Sequence, residues 1–249
     1  MNTPLVNLHI VGVQKAGTSA LAHFLSQHSD VCVVEGKEAH VFDQPDFASK
    51  DKHEYANKRY AKKLSHYQGE KIICDATPIT VFNKTFIQDC YNYNPQAKFI
   101  VLLRNPVDRA VSHFYMSKQR GRESSNMLWS FLKETHRLRK ANGVDAWRTG
   151  SVWRDNSYLT RGKYKEQLDN LFNVVPDERC FVTTQETLLH KHNNTLERIF
   201  SFLAIPEHIV QAEQVFASEI QDKDSSEALA RAYAKLYFLV NGEYPYRYR

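Results

Sequence analysis

The chain has 249 residues, four cysteines, 42% apolar residues and 33 Lys+Arg against 28 Asp+Glu, a formal charge of +5. This is the composition of ordinary globular proteins and excludes disordered and disulfide-scaffold classes. A chain of this length buries roughly 70–75% of the surface its unfolded form exposes, so it needs neither disulfides nor a structural metal. The basic balance, with an isoelectric point near 8.9, suggests an anionic partner, but nucleic acid demands a more concentrated basic patch and is not expected.

In chain order, the β-branched, apolar stretch Leu5–Val13 predicts a buried strand, and a Gly-containing turn then opens a helical pattern through Leu21, Phe24 and Leu25. The apolar run Leu8–Val13 is far short of the ~18 residues of a membrane span. No signal peptide precedes it, so the expected setting is cytoplasmic, without a membrane span. Further strands are expected at Val31–Val34, Lys71–Cys74, Lys98–Leu103 and Arg179–Thr183, with helical segments between them. The alternation predicts an α/β fold with a central parallel sheet. Ile72–Cys74 and Phe99–Leu103 are apolar without alternation, as in strands covered on both faces. Helices are predicted at Val107–Lys118, Ser125–Ala141, Ser157–Phe172 and Ser225–Val240, with Leu229, Tyr233, Leu236 and Val240 on one face of the last. No repeat or Pro/Gly-rich linker divides the chain, so residues 1–249 are expected to form one domain. The aromatic tail Tyr244–Arg249 has no predicted element.

Cys32, Cys74, Cys90 and Cys180 are widely separated, without a Cys-x-x-Cys pair, and predict reduced buried thiols rather than a disulfide framework or a zinc site. The sequons at Asn83 and Asn193 are read as chance. Trp129, Trp147, Trp153, Tyr158 and Tyr164 are read as core aromatics before sugar-stacking ones. Arg137, Arg139 and Lys140 are read as a solvated helix face, and His113 as a packing residue.

Two segments carry chemistry. After the first strand comes Gly12-Val13-Gln14-Lys15-Ala16-Gly17-Thr18-Ser19, where backbone N–H groups and the positive end of the next helix form a site for an anionic oxygen cluster. The glycine spacing is that of a P-loop, but Thr18 stands where the P-loop lysine belongs. The loop's own lysine, Lys15, comes earlier, which disfavours a standard ATPase or kinase. At the end of the fourth strand comes Arg104-Asn105-Pro106-Val107-Asp108-Arg109-Ala110-Val111-Ser112. Arg104 falls at the carboxyl edge where open parallel sheets bind ligands, Pro106 starts a helix, and Ser112 lies two turns along it. An Arg fork and a hydroxyl suit a second phosphate.

The segment "VGVQKAGTSAL" resembles the 5′-phosphosulfate loop of sulfotransferases that use 3′-phosphoadenosine 5′-phosphosulfate (PAPS), and "VLLRNPVDRAVSHFYM" resembles their 3′-phosphate segment. The resemblance is closest to carbohydrate sulfotransferases of the heparan-sulfate type and their bacterial relatives. Weaker landmarks extend it: "KEAHVFD" at Lys37–Asp43, "DATPIT" at Asp75–Thr80 and "RGKYKEQLDNLF" at Arg161–Phe172. It implies a P-loop-like three-layer fold and transfer of a sulfuryl group to a hydroxyl or amine of a saccharide or other small acceptor. By the same resemblance Lys15, Ala16, Gly17, Thr18 and Ser19 would hold the 5′-phosphosulfate, and Arg104 and Ser112 the 3′-phosphate. Lys15 would also stabilise the leaving oxygens. Glu38 would be the general base, with His40, as a neutral imidazole, the reserve candidate. A sulfuryl group carries less charge than a terminal phosphoryl group, so no metal is required.

One position departs from the pattern. Ala76 stands where close heparan-sulfate relatives carry a lysine before Thr-Pro, and Lys37 is the candidate replacement. A microbial or viral cytoplasmic form is expected. Two alternatives stand beside this reading: a nucleotide or small-molecule kinase with Asp75 as its magnesium ligand, and a non-catalytic module holding a nucleotide or acidic glycan.

Overall fold

A computed structural model describes residues 4–47, 51–141, 147–213 and 222–243. The β-branched and apolar runs become strands β1 (Leu8–Gly12), β2 (Val31–Val33), β3 (Ile72–Asp75), β4 (Lys98–Leu103) and β5 (Cys180–Thr184). They pair in parallel in the order β2-β3-β1-β4-β5. Every residue of β1 and β3 is buried, which explains why these strands lack polar alternation.

Helices run between the strands and after the last of them. These are α1 (Thr18–Leu25), α2 (Lys52–Ala61), α3 (Lys84–Tyr93), α4 (Pro106–Gln119), α5 (Met127–Lys140), α6 (Val152–Asp155), α7 (Tyr164–Phe172), α8 (Gln185–His190), α9 (His192–Leu203) and α10 (Glu227–Val240). Asp51, Asn83, Asn105 and Asn126 each cap the following helix by accepting from first-turn N–H groups, satisfying donors that a helix leaves open. One sequon asparagine, Asn83, is therefore engaged as a cap. None of the described helices is long and apolar enough to cross a membrane. All four cysteines are free thiols, and Cys32, Cys74 and Cys90 are buried.

Residues 1–103 with 167–217 form one compact unit, and 104–166 with 218–249 a second. The first holds the sheet. In the second, α10 packs on α4 and α5, around a core of Phe114, Met127, Phe131, Tyr158, Ala230, Ala234 and Phe238.

Four expectations are corrected here. The helix expected at Ser157–Phe172 is a 3₁₀ turn at Thr160–Gly162 followed by α7; a Cβ on Gly162 would come within 2.5 Å of the Phe238 ring. On α10 the buried stripe is Ala230, Ala234 and Phe238, whereas Leu229, Leu236 and Val240 are exposed, because two alanines let the helix approach its neighbours closely. Arg137 is no free surface charge: it binds the buried Glu123 at 2.5 Å. Tyr158, Tyr164 and His113 are fully buried, as expected, but Trp129 is exposed. Trp147 and Trp153 pack on one another with ring centroids 5.5 Å apart. The Tyr244–Arg249 tail lies outside the described residues.

Candidate active site

The loop after β1 is short and shaped by backbone as much as by side chains. Gly12 has no room for a Cβ, which would lie 2.3 Å from Val81 Cγ1. Val13 still donates to Leu102 O at 2.8 Å, and Ala16 N–H turns back to Val13 O at 3.1 Å. That bond commits the Ala16 amide inside the loop, so Ala16 contributes shape rather than a free donor. Lys15 (φ 74°) and Gly17 (φ 89°) both take the left-handed conformation, which glycine adopts freely and lysine only at a cost. Gly17 is the N-cap of α1, and no side chain caps that helix. The N–H groups of its first turn, from Thr18 and Ser19 onward, carry the positive end of the helix dipole. Thr18 is buried and Ser19 half-buried. Gln185, at the start of α8, places its amide nitrogen 3.4 Å from where a Gly17 Cβ would be.

In the second unit Arg104 precedes α4 and is half-buried. Asn105 caps α4 by accepting from Val107 N and Asp108 N, with Pro106 in the first turn. Arg104 O accepts from Tyr164 Oη at 2.9 Å, which fixes the backbone that presents its side chain. Ser112 lies half-buried on α4. Arg109, five residues on, is fully buried, hydrogen-bonded to Tyr158 O, and carries structure.

The loop after β2 brings four predicted residues together. His40 bridges two carboxylates: Nδ1 lies 2.8 Å from Asp43 Oδ2 and Nε2 3.0 Å from Glu38 Oε2. Lys37 Nζ is hydrogen-bonded to Glu38 Oε1 and lies 3.5 Å from Ala76 O. Lys37 (φ 60°) and His40 (φ 50°) are again left-handed. Asp43 is 1% exposed, Glu38 27%. Burial alone would lower the His40 pKa, but its bonds to Asp43 and Glu38 prevail and raise it to about 9. For Glu38, burial pulls upward and is overcome by the His40 bond and the Lys37 charge, which hold the carboxyl below its usual range. At neutral pH the chain is therefore carboxylate, imidazolium, carboxylate. His40 as a neutral base does not fit this setting, since an imidazolium has no lone pair to offer.

A stability signature follows. Because the folded pKa of His40 is raised from 6.5 to about 9, its contribution is complete below pH 6.5 and disappears as pH rises through 9. The stability lost between pH 6.5 and 9.5, from urea midpoints, is expected to be larger for the native chain than for His40→Asn. Equal losses would mean that the two carboxylates do not hold the imidazolium.

β1 and β3 are parallel neighbours, so the Lys15 loop and the segment leaving β3 at Asp75 share the carboxyl edge of the sheet. The Asp75 carboxylate is already occupied. It accepts from Thr77 Oγ1 (2.7 Å), Tyr60 Oη (2.9 Å) and Ala39 N (3.1 Å). No cluster of three or more metal-capable side chains occurs among the described residues.

A family model described as the sulfotransferase domain matches residues 7–230. The chain belongs to the sulfotransferase family. Among curated proteins it is 29% identical to mouse heparan sulfate glucosamine 3-O-sulfotransferase 6, over 79% of this chain and 51% of that protein. It is 31% identical to the Dictyostelium discoideum membrane-associated sulfotransferase kil1, over 46% and 24%. The chain thus spans about half the length of the first of these relatives. A crystal structure of a sulfotransferase from Alicyclobacillus acidocaldarius superposes with a TM-score of 0.75 at 26% identity, covering 96% of this chain and 93% of that one. A mouse sulfotransferase complexed with PAP shares the fold at a TM-score of 0.50 and 16% identity, covering 94% and 66%. The parallel sheet flanked by helices is accordingly the P-loop-like sulfotransferase fold.

Two residues that shape this sulfotransferase site, Gln185 and Tyr60, carry no motif of their own and reach the loops only through tertiary folding. Asp75 lies in a landmark segment, and its residue type alone suggested a magnesium ligand in the kinase alternative.

Proposed function

We propose that this chain transfers a sulfuryl group from PAPS to a hydroxyl or amine of a saccharide or other small acceptor, with Glu38 as general base. The observation that carries the reading is the hydrogen-bonded chain Asp43–His40–Glu38, on a loop anchored at the same sheet edge as the uncapped N-terminus of α1. The cradle fits the donor's 5′ end: Gly17 is backed by Gln185 and Leu102, so a side chain there would meet both, and the helix leaves its N–H groups to an anion. Lys15 and the N–H groups of Gly17, Thr18 and Ser19 would hold the 5′-phosphosulfate, and Arg104 with Ser112 the 3′-phosphate. When bound, PAPS supplies the sulfuryl group, and the protein's work is positioning and charge stabilisation.

Glu38, ionised at neutral pH, takes the acceptor proton. His40 holds Glu38 in one orientation and balances its charge, and the buried Asp43 fixes the imidazole from behind. Lys37 brings its ammonium to the backbone oxygen of Ala76, the position where the heparan-type resemblance places a lysine, which supports Lys37 as its replacement. A kinase reading is weaker, because both Asp75 oxygens face protein donors.

Calorimetry tests the donor: 3′-phosphoadenosine 5′-phosphate (PAP) is expected to bind far more tightly than AMP, and equal affinities would overturn the reading. Mass spectrometry of desulfated heparan oligosaccharides, alkyl glycosides and simple alcohols incubated with PAPS identifies the acceptor by the gain of one sulfate. PAP binding with no sulfate transfer across that panel would favour the non-catalytic module.

A further inference from the structure

We propose that Asp75 is a positioning residue for this reaction: its buried carboxylate, with the Thr77 hydroxyl, fixes the backbone of the loop that presents Glu38 and His40. The inference rests on the reading of Glu38 as the base and extends it to a residue that touches neither donor nor acceptor.

Asp75 ends β3 and is 2% exposed. A carboxylate survives there only if its lone pairs are matched by donors. Oδ1 accepts from Ala39 N and from Thr77 Oγ1, and Oδ2 from Tyr60 Oη, which α2 delivers. Ala39 is the residue between Glu38 and His40. The residues after Asp75 continue the pattern, Ala76 N donating to Lys37 O at 2.8 Å and Thr77 Oγ1 accepting from His40 N at 3.4 Å. Lys37, Ala39 and His40 are thus each tied to the three-residue exit of β3, two of them in left-handed conformations that a free loop would abandon. Arg59, also on α2, closes the other side with a bond to Ala39 O at 3.4 Å. Without this anchoring the Glu38 carboxylate has no fixed place, and a misplacement of about 1 Å is enough to lose ~10²-fold in rate.

The test uses two readouts. The first is the imidazole titration of His40, followed by NMR in the full-length protein. The ring faces Glu38 and Asp43, with Lys37, Arg59, Tyr60 and Asp75 as the surrounding charged or titratable groups. In the native chain it is expected to titrate near pH 9. In Asp75→Ala it should fall toward 6.5 while PAP affinity, read by calorimetry, stays within about twofold. Asp75→Asn keeps an acceptor for Ala39 and Thr77 and can donate to Tyr60, so it should restore most of the native titration. Thr77→Val, which leaves the carboxylate in place, should shift the titration part of the way and serves if Asp75→Ala does not fold.

The second readout is turnover on the acceptor found in the panel above, where Asp75→Ala should lower kcat about 10²-fold and Asp75→Asn much less. A native His40 titration and native kcat in folded Asp75→Ala or Thr77→Val would overturn the inference while leaving Glu38 as the base. Equal loss of PAP binding and kcat would do the same, by showing a general structural role. If Glu38→Gln turns over at the native rate, the underlying reading fails and Asp75 has no base to position.

Discussion

Replacing Glu38 by glutamine is expected to lower turnover by ~10²–10⁴, the usual contribution of one proton-transfer group, while PAP affinity changes by less than about twofold. Glutamine keeps the shape but has one acceptor oxygen for the two carboxylate oxygens that Lys37 and His40 meet, so it retains one of those bonds and not both, and an unchanged PAP affinity is the control that the donor site stays in place. The native carboxyl is held below its usual range by His40 and Lys37, so the acid limb of the kcat profile should lie at or below the ordinary carboxylate range. On the alkaline side activity should fall as His40, raised to about 9, loses the proton that bridges the two carboxylates. Rates measured from pH 4 to 10 with acceptor in excess test both limbs. A near-native rate for the glutamine variant would remove Glu38 from the role of base.

The second large effect is expected at Arg104. One charge-assisted hydrogen bond from an ionised donor is worth ~1.5–3 kcal/mol, equivalent to roughly ten- to a hundredfold in affinity. Arg104→Ala should weaken PAP binding by that factor and leave AMP binding nearly unchanged, collapsing the preference that a 3′-phosphate site creates. Arg109→Ala supplies the contrast. Its guanidinium is buried against Tyr158 O, so its removal should lower the unfolding midpoint and not alter selectivity between the two nucleotides. Calorimetry of both variants with both nucleotides distinguishes the outcomes; an unchanged PAP-to-AMP ratio in Arg104→Ala would place the 3′-phosphate elsewhere.

These two arginines show where sequence information stops. They stand five residues apart in one segment, and their chemistry is the same on paper. Position at the end of a strand singled out Arg104, but only packing separates a half-buried side chain from one fully enclosed in the α4 core. The same limit applies to His40. Its place between Glu38 and Asp43 is visible in "KEAHVFD", yet whether it is an imidazole or an imidazolium depends on both ring nitrogens meeting carboxylates at 2.8–3.0 Å. That geometry requires left-handed backbone at His40, which spacing does not encode.

The sequence by itself determined the parallel sheet, the glycine-bearing turn after β1 and the start of α4. Each of these follows from local pattern: unbroken apolar runs for covered strands, glycines at the β1 turn, and Pro106 in a first helical turn, where its missing N–H costs nothing. Tertiary structure alone decided the rest. It buried Ala230, Ala234 and Phe238 instead of the larger stripe at Leu229, Leu236 and Val240, because close helix approach favours small side chains over hydrophobic count. It turned Asp75 inward, where Tyr60, Thr77 and Ala39 supply three donors that no motif announces. Contacts between residues 15 to 39 positions apart in the chain hold the loop that carries Glu38, His40 and Asp43, and their energies depend on distance and burial as well as on residue type.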